Sequence, residues 1–126
     1  MEHCESLNDL SATEAVARIS TVDNIDLAVS TDFWDEAAEE NWDACQTAFS
    51  DYFNRKVAEY SKTLGNPVFN GGMDDTGFPE NYIEQFHVHA DQLAVWNCEA
   101  EQYALSIVQE DRELPFVVSF KRLRPE

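Results

Sequence analysis

His87, His89 and Asp91 stand at alternate positions in this chain. In an extended segment such residues share one face, so two imidazoles and a carboxylate would converge. That donor set suits zinc or a related divalent metal, which would activate a bound water for hydrolysis. The set is short of ligands, because position 92 is Gln and His3 is the one histidine elsewhere. The spacing therefore predicts a polar strand edge, with no metal and no cofactor expected; His87, His89 and Asp91 are the candidate ligands if one binds. Asp75-Thr76-Gly77 offers a second carboxylate in a compact setting. Acid proteolysis needs two such carboxylates sharing a proton, and the preceding Gly71-Gly72-Met73-Asp74 reads instead as a glycine-rich turn. The cysteines Cys4, Cys45 and Cys98 are odd in number and widely spaced, which predicts free thiols.

Two of these segments resemble known motifs. His87 to Asp91 resembles the start of the HxHxDH motif of metallo-β-lactamase-type hydrolases, and Gln92 interrupts it. Asp75-Thr76-Gly77 resembles the DTG triplet of aspartic proteases, without the apolar strand that precedes it there. A small metal-dependent enzyme built on the HxHxD segment is thus the rival reading from a different functional class.

Charge says more than these motifs. The chain carries 25 acidic residues against 8 basic ones, a formal net charge of −17 in 126 residues. Solubility alone asks for far less. Residues 1–43 hold 12 of the acids and only Arg18 as a base. Such a field repels nucleic-acid phosphate, so direct DNA or RNA binding is not expected, whereas basic proteins are steered inward. Glu36, Glu39, Glu40 and Asp43 recur at helical spacings of three and four, so like charges become neighbours at a cost to the helix. No Lys or Arg falls between Arg18 and Arg55 to offset them. These four residues are the expected contacts to a basic partner, with Trp34 or Trp42 as an aromatic anchor. A salt-rich habitat would also favour a lysine-poor, acidic surface.

The elements that must carry these residues follow from periodicity. Residues 6–20 predict a short helix with Ser11 as N-cap and Glu14 closing a capping box. Ile25, Leu27 and Val29 alternate as in a strand. Trp34, Ala38, Trp42, Cys45, Phe49, Tyr52, Phe53, Val57, Tyr60 and Leu64 make one face of a helix over 32–64, capped by Ser30 or Thr31 and bent or split near Asn41 or Asn54. Gly65-Asn66-Pro67 stops it, and 65–82 reads as a loop. Strands are expected over 92–98, 103–109 and 115–121, joined by short polar hairpin connections, with Phe86–Ala90 as a further candidate.

The expected fold class is α+β: one long and one short helix packed on an antiparallel sheet of three to five strands, within a single domain over 1–126. Trp96, Ala104, Val108 and Val117 would then point to the sheet face away from the long helix, to be covered by a second helix or left as an apolar patch. No run approaches the roughly 18 apolar residues of a membrane span, and the first residues lack a signal-peptide pattern, so a cytoplasmic protein without membrane contact is expected. Nothing in the sequence fixes the oligomeric state.

The C-terminal half carries Gly-Asn-Pro-Val-Phe at 65–69, Gly-Phe-Pro-Glu at 77–80, Leu-Ala-Val-Trp at 93–96, Tyr-Ala-Leu at 103–105 and Glu-Asp-Arg-Glu-Leu-Pro at 110–115. This pattern resembles small acidic bacterial immunity proteins of toxin–immunity systems. The resemblance implies a cytosolic, non-enzymatic inhibitor that occludes a cognate toxin and carries no catalytic residues. A related alternative is a nucleic-acid mimic that blocks a DNA-binding protein with the same carboxylates.

Overall fold

The computed structural model describes residues 4–86 and 90–124. Its strands are β1 (Cys4–Leu7), β2 (Asn24–Ser30), β3 (Phe69–Gly71), β4 (Gln92–Cys98), β5 (Glu101–Val108) and β6 (Val117–Leu123). Its helices are α1 (Ala12–Ile19), α2 (Glu36–Glu40), α3 (Trp42–Leu64) and α4 (Glu80–Phe86). The strands form one antiparallel sheet in the order β1-β2-β6-β5-β4-β3. The α+β class is as expected, but the sheet has six strands and the described residues form four helices, more of each than the sequence reading allowed.

The meander β4-β5-β6 is the part that hydrophobic patterning predicts best. β4 has the expected bounds, and Cys98 pairs with Glu101 across a two-residue turn. Glu99 in that turn has φ of 56°, the left-handed conformation a tight hairpin demands and a side chain resists. β2 then adds to the far side of β6, so two distant parts of the chain meet at the sheet centre.

α1 begins where its capping box dictates. Ser11 Oγ accepts the Glu14 N–H at 3.2 Å, and Glu14 Oε1 accepts the Ser11 N–H at 3.2 Å. The expected start at residue 6 was too early, because Cys4–Leu7 pairs with β2. Ala12, Ala15 and Ile19 turn inward and pack against α3 and the sheet.

The expected single helix over 32–64 is two. Ser30 does not cap it; its hydroxyl is buried, accepts the Phe116 N–H at 2.8 Å and donates to Thr31 O at 2.8 Å. The cap is Asp35, whose carboxylate accepts the Ala38 N–H at 2.7 Å. The break falls at Asn41, one of the two expected points. Asn41 Nδ2 donates to Ala37 O at 3.1 Å while its N–H turns to Ala38 O, so the side chain competes with helical bonding. Beyond it α3 runs unbroken and buries Cys45, Phe49, Tyr52, Phe53, Val57 and Tyr60, the stripe read from the sequence.

The sheet separates two apolar layers. α1 and α3 cover one with Leu105, Ile107, Val118 and Phe120. On the other, Tyr82 of α4 packs with Leu93, Val95, Ala104 and Leu123. Trp96 corrects the expected facing: it lies on the α3 side and donates Nε1–H to Gly65 O at 2.9 Å. Four consecutive apolar residues in β4 gave no parity, and Leu93 and Val95 take the α4 face instead. Ala104 and Val108 do face away from α3, and α4 is the second cover. α4 begins inside the segment read as loop and ends at Phe86; of the candidate strand Phe86–Ala90, Phe86 is helical, Ala90 belongs to no strand and 87–89 lie outside the described residues. Among the described residues no helix is long and apolar enough to cross a membrane.

The segment before α1 is fastened by a buried ion. Lys56, 4% exposed, donates from Nζ to Leu10 O at 3.1 Å and meets Asp9 at 2.5 Å and Glu59 at 3.2 Å. Burial raises the Asp9 carboxyl, yet the hydrogen bonds from Lys56 and Tyr52 outweigh it and the net value is lowered. A depressed carboxylate adds stability above its unfolded value, near 3.9, and this is lost as pH falls through the folded value. Asp9→Asn is therefore expected to flatten the acid limb of a urea-stability profile below about pH 4 and to cost under about 1 kcal/mol at neutral pH, since Asp9 is half in water. A profile identical to that of the parent chain would show that Asp9 does not contribute.

Candidate functional site: an acidic docking surface

Asp32, Asp35, Glu36, Glu39, Glu40 and Asp43 are all exposed. α2 buries none of its five residues, and its anchorage is Ala38, packed half-buried against the core. A helix this short survives on its cap and its tether rather than on propensity. It contributes little to the core, and it sets Glu36, Glu39 and Glu40 on one exposed turn. Trp34 lies just before it with 69% of its surface exposed, the most exposed large apolar side chain among the described residues. An indole left in water beside carboxylates costs apolar solvation that burial by a partner would recover.

Trp42 is placed differently. It is half-buried, its ring 5.5 Å from that of Phe116, and the Arg112 guanidinium lies 4.2 Å from its centroid. Phe116 also meets Phe33 and Phe49, so the indole belongs to an aromatic cluster. Of the two indoles, Trp34 is presented to solvent and Trp42 supports the surface from beneath.

The 109–116 connection has a place at this surface that its sequence does not show. Phe33 N–H donates to Glu113 O at 2.8 Å, which brings this loop beside the approach to α2. Arg112 Nε reaches Glu39 Oε1 at 3.9 Å, an exposed pair of little energetic weight. Asp111 and Glu113 flank that arginine, and the side-chain interaction between them holds the Asp111 carboxyl down and pushes the Glu113 carboxyl up. The acidic surface therefore has two sources, α2 with its flanks and the β5–β6 loop, with Arg112 as its local base. The loop's own charge was legible; its position was not, because it is set by pairing β6 with β2.

A cleft of about 410 Å³ adjoins this surface, lined along α3 by Trp42, Gln46, Ser50 and Asn54 and across from them by Asp91, Gln92, Ile107, Gln109 and Phe116. The spacing of four along α3 aligns those side chains into one row. Its lining is mostly uncharged, and its acid, Asp91, accepts the Gln109 N–H at 3.2 Å. This is a lining for holding polar groups; among the described residues it includes the Ser50 hydroxyl and the Asp91 carboxylate but no cysteine, lysine or histidine.

The metal candidates divide. His87 and His89 lie outside the described residues, while Asp91 braces the backbone at the end of β5. Among the described residues no group of three metal-ligating side chains converges. Asp75 accepts the Gly72 N–H at 2.7 Å and Gly77 has φ of 90°, so Asp75-Thr76-Gly77 forms the expected turn. The cysteines are unpaired, and burial pushes the Cys45 and Cys98 thiols up, away from thiolate chemistry.

Compared with family models, with curated proteins and with solved structures, the chain matches none of them.

Proposed function

We propose that this chain is a non-enzymatic inhibitor that docks its acidic surface on a basic protein and occludes that protein's working site, as an immunity protein occludes its toxin. The observation that carries the reading is Trp34, 69% exposed and flanked by Asp32, Asp35 and Glu36 on a segment that the fold does not bury. Carboxylates raise the encounter rate with a cationic partner, and an aromatic side chain supplies the desolvated contact that slows release. The polar cleft beside it extends the contact area.

The test compares the parent chain with Glu39→Lys/Glu40→Lys and with Trp34→Ala as immobilised baits for a source lysate. Proteins released by salt from the parent bait are identified, then assayed for toxic activity at one-to-one ratio. The charge reversal is expected to slow association by about tenfold or more at low salt and to flatten its salt dependence. Trp34→Ala is expected to weaken binding by about 2 kcal/mol, mainly through faster dissociation. Equal capture and equal kinetics for all three baits would remove this surface from the account. A nucleic-acid mimic would instead be released by competing DNA.

A further inference from the structure

On the sheet face opposite α3, β2 and β6 place four polar side chains in two cross-strand pairs, Asn24 opposite Lys121 and Asp26 opposite Ser119. With Phe86, Val108, Glu110 and Val117 they line a depression of about 230 Å³. Lys121 is 7% exposed. Its ammonium meets Asn24 Oδ1 and the Phe86 ring, 4.8 Å from the centroid. Among the described residues no carboxylate lies within 4.0 Å of it. Asp26 is the acid nearest in register, and its Oδ1 is already taken by Asn24 Nδ2 at 3.0 Å and Ser119 Oγ at 2.8 Å.

Lys56 shows what a buried lysine needs when its role is only structural. It is 4% exposed, and two carboxylates and a carbonyl oxygen occupy its donors. Lys121 has a neutral amide and a phenyl ring in their place. Burial pushes its amine down to about 8, against a smaller upward pull from Asp26. A desolvated amine that sheds its proton near neutral pH is a nucleophile.

We propose that Lys121 forms the reactive floor of a site for a small uncharged aldehyde or ketone, which it holds as an imine. The amine lone pair attacks the carbonyl carbon, and a proton passes from nitrogen to oxygen to give a carbinolamine. Loss of water leaves the C=N bond; one amine and one carbonyl become one imine and one water, with no change of oxidation state. Phe86, Val108 and Val117 suit an apolar substituent. Asp26 and Glu110 disfavour an anionic one and stand where protons must be moved as water leaves. The imine chemistry needs nothing from the acidic docking surface, with which this site shares only the β5–β6 loop through Glu110.

The folded protein is incubated with propanal and cyanoborohydride, which reduces an imine to a stable N-propyl amine, and the labelled lysines are mapped by peptide mass. At pH 7.4 Lys121 is expected to label about tenfold or more faster than exposed Lys62, because far more of its amine is neutral. Lys56 is expected to stay unlabelled. Glyoxylate, which carries a carboxylate, is expected to label Lys121 more slowly than propanal does. Rates at Lys121 equal to or below those at Lys62 would overturn the proposal. So would a Lys121 rate that climbs with urea below the unfolding transition, since labelling would then pass through the opened chain. Faster labelling by glyoxylate would overturn the assignment of an uncharged ligand.

Discussion

Phe116→Ala is expected to destabilise the fold by about 3–5 kcal/mol, the usual range for deleting a fully buried phenyl ring. Phe116 is 2% exposed and contacts three rings at once: Phe33 edge-on at 5.8 Å, Trp42 tilted at 5.5 Å and Phe49 stacked at 6.2 Å. These come from the segment before α2, from the first residue of α3 and from a position two turns further along it, so one ring joins the acidic surface to the core. No single neighbour can collapse into the space without losing its other contacts. Urea unfolding should show a lower midpoint at unchanged slope. The same substitution should blunt the proposed partner binding, because Trp42, the ring on which Arg112 stacks, loses its platform. Phe116→Leu should lose less, since part of the volume is kept. A loss below about 1 kcal/mol in the alanine variant would show that the cluster is not packed as described.

Lys121→Met is expected to act in the opposite direction and stabilise the protein at pH 7 by about 1–3 kcal/mol. The folded value near 8 lies below the ordinary 10.5, so folding disfavours the ammonium. Each unit of that difference corresponds to about 1.4 kcal/mol, and the orphaned Asn24 amide oxygen takes back part of the gain. Below pH 8 both states of the parent chain are protonated at Lys121 and the penalty is full. Between about 8 and 10.5 the unfolded chain holds more protons than the folded one, so parent stability rises with pH. Above that window the penalty is gone. The methionine variant has no such group, so its advantage should be largest at pH 7 and fade towards pH 10. The raised tyrosines Tyr52 and Tyr60 are common to both proteins and cancel in the difference. A variant less stable than its parent at pH 7, with a difference flat in pH, would refute this. A penalty retained in the native protein is what the proposed imine site requires.

The long-period parts of this structure were legible in the residues. The α3 stripe from Cys45 to Tyr60, the Ser11–Glu14 capping box and the bounds of β4 need only local sequence to be read. Short elements were not: β1 and β3 have four and three residues, too few for a period to show. α4 was hidden because Gly77 and Pro79 mark the turn that precedes it and drew the whole segment into a loop. Trp96 was placed on the wrong face because an unbroken apolar run has no alternation. At the acidic surface the carboxylates of α2 were plain from spacing, whereas Arg112 and Glu113 arrive from some 70 residues away by strand pairing. Lys121 could not be picked out at all, since its place in Lys-Arg-Leu-Arg reads as a solvated basic end until β2 lays Asn24 across from it.

The position of β6 between β2 and β5 governs when this protein can fold during synthesis. β1 and β2 emerge early but have only each other, and a lone two-stranded ribbon is marginal in water. Their other neighbour is made last. A nascent chain that lacks β6 therefore has two half-sheets and no seam, with β1 and β2 tied to the rest only through the packing of α1 and of the Asp9–Leu10 segment on α3. Docking that seam is a late, long-range event, the kind that folds slowly and leaves strand edges open while it waits.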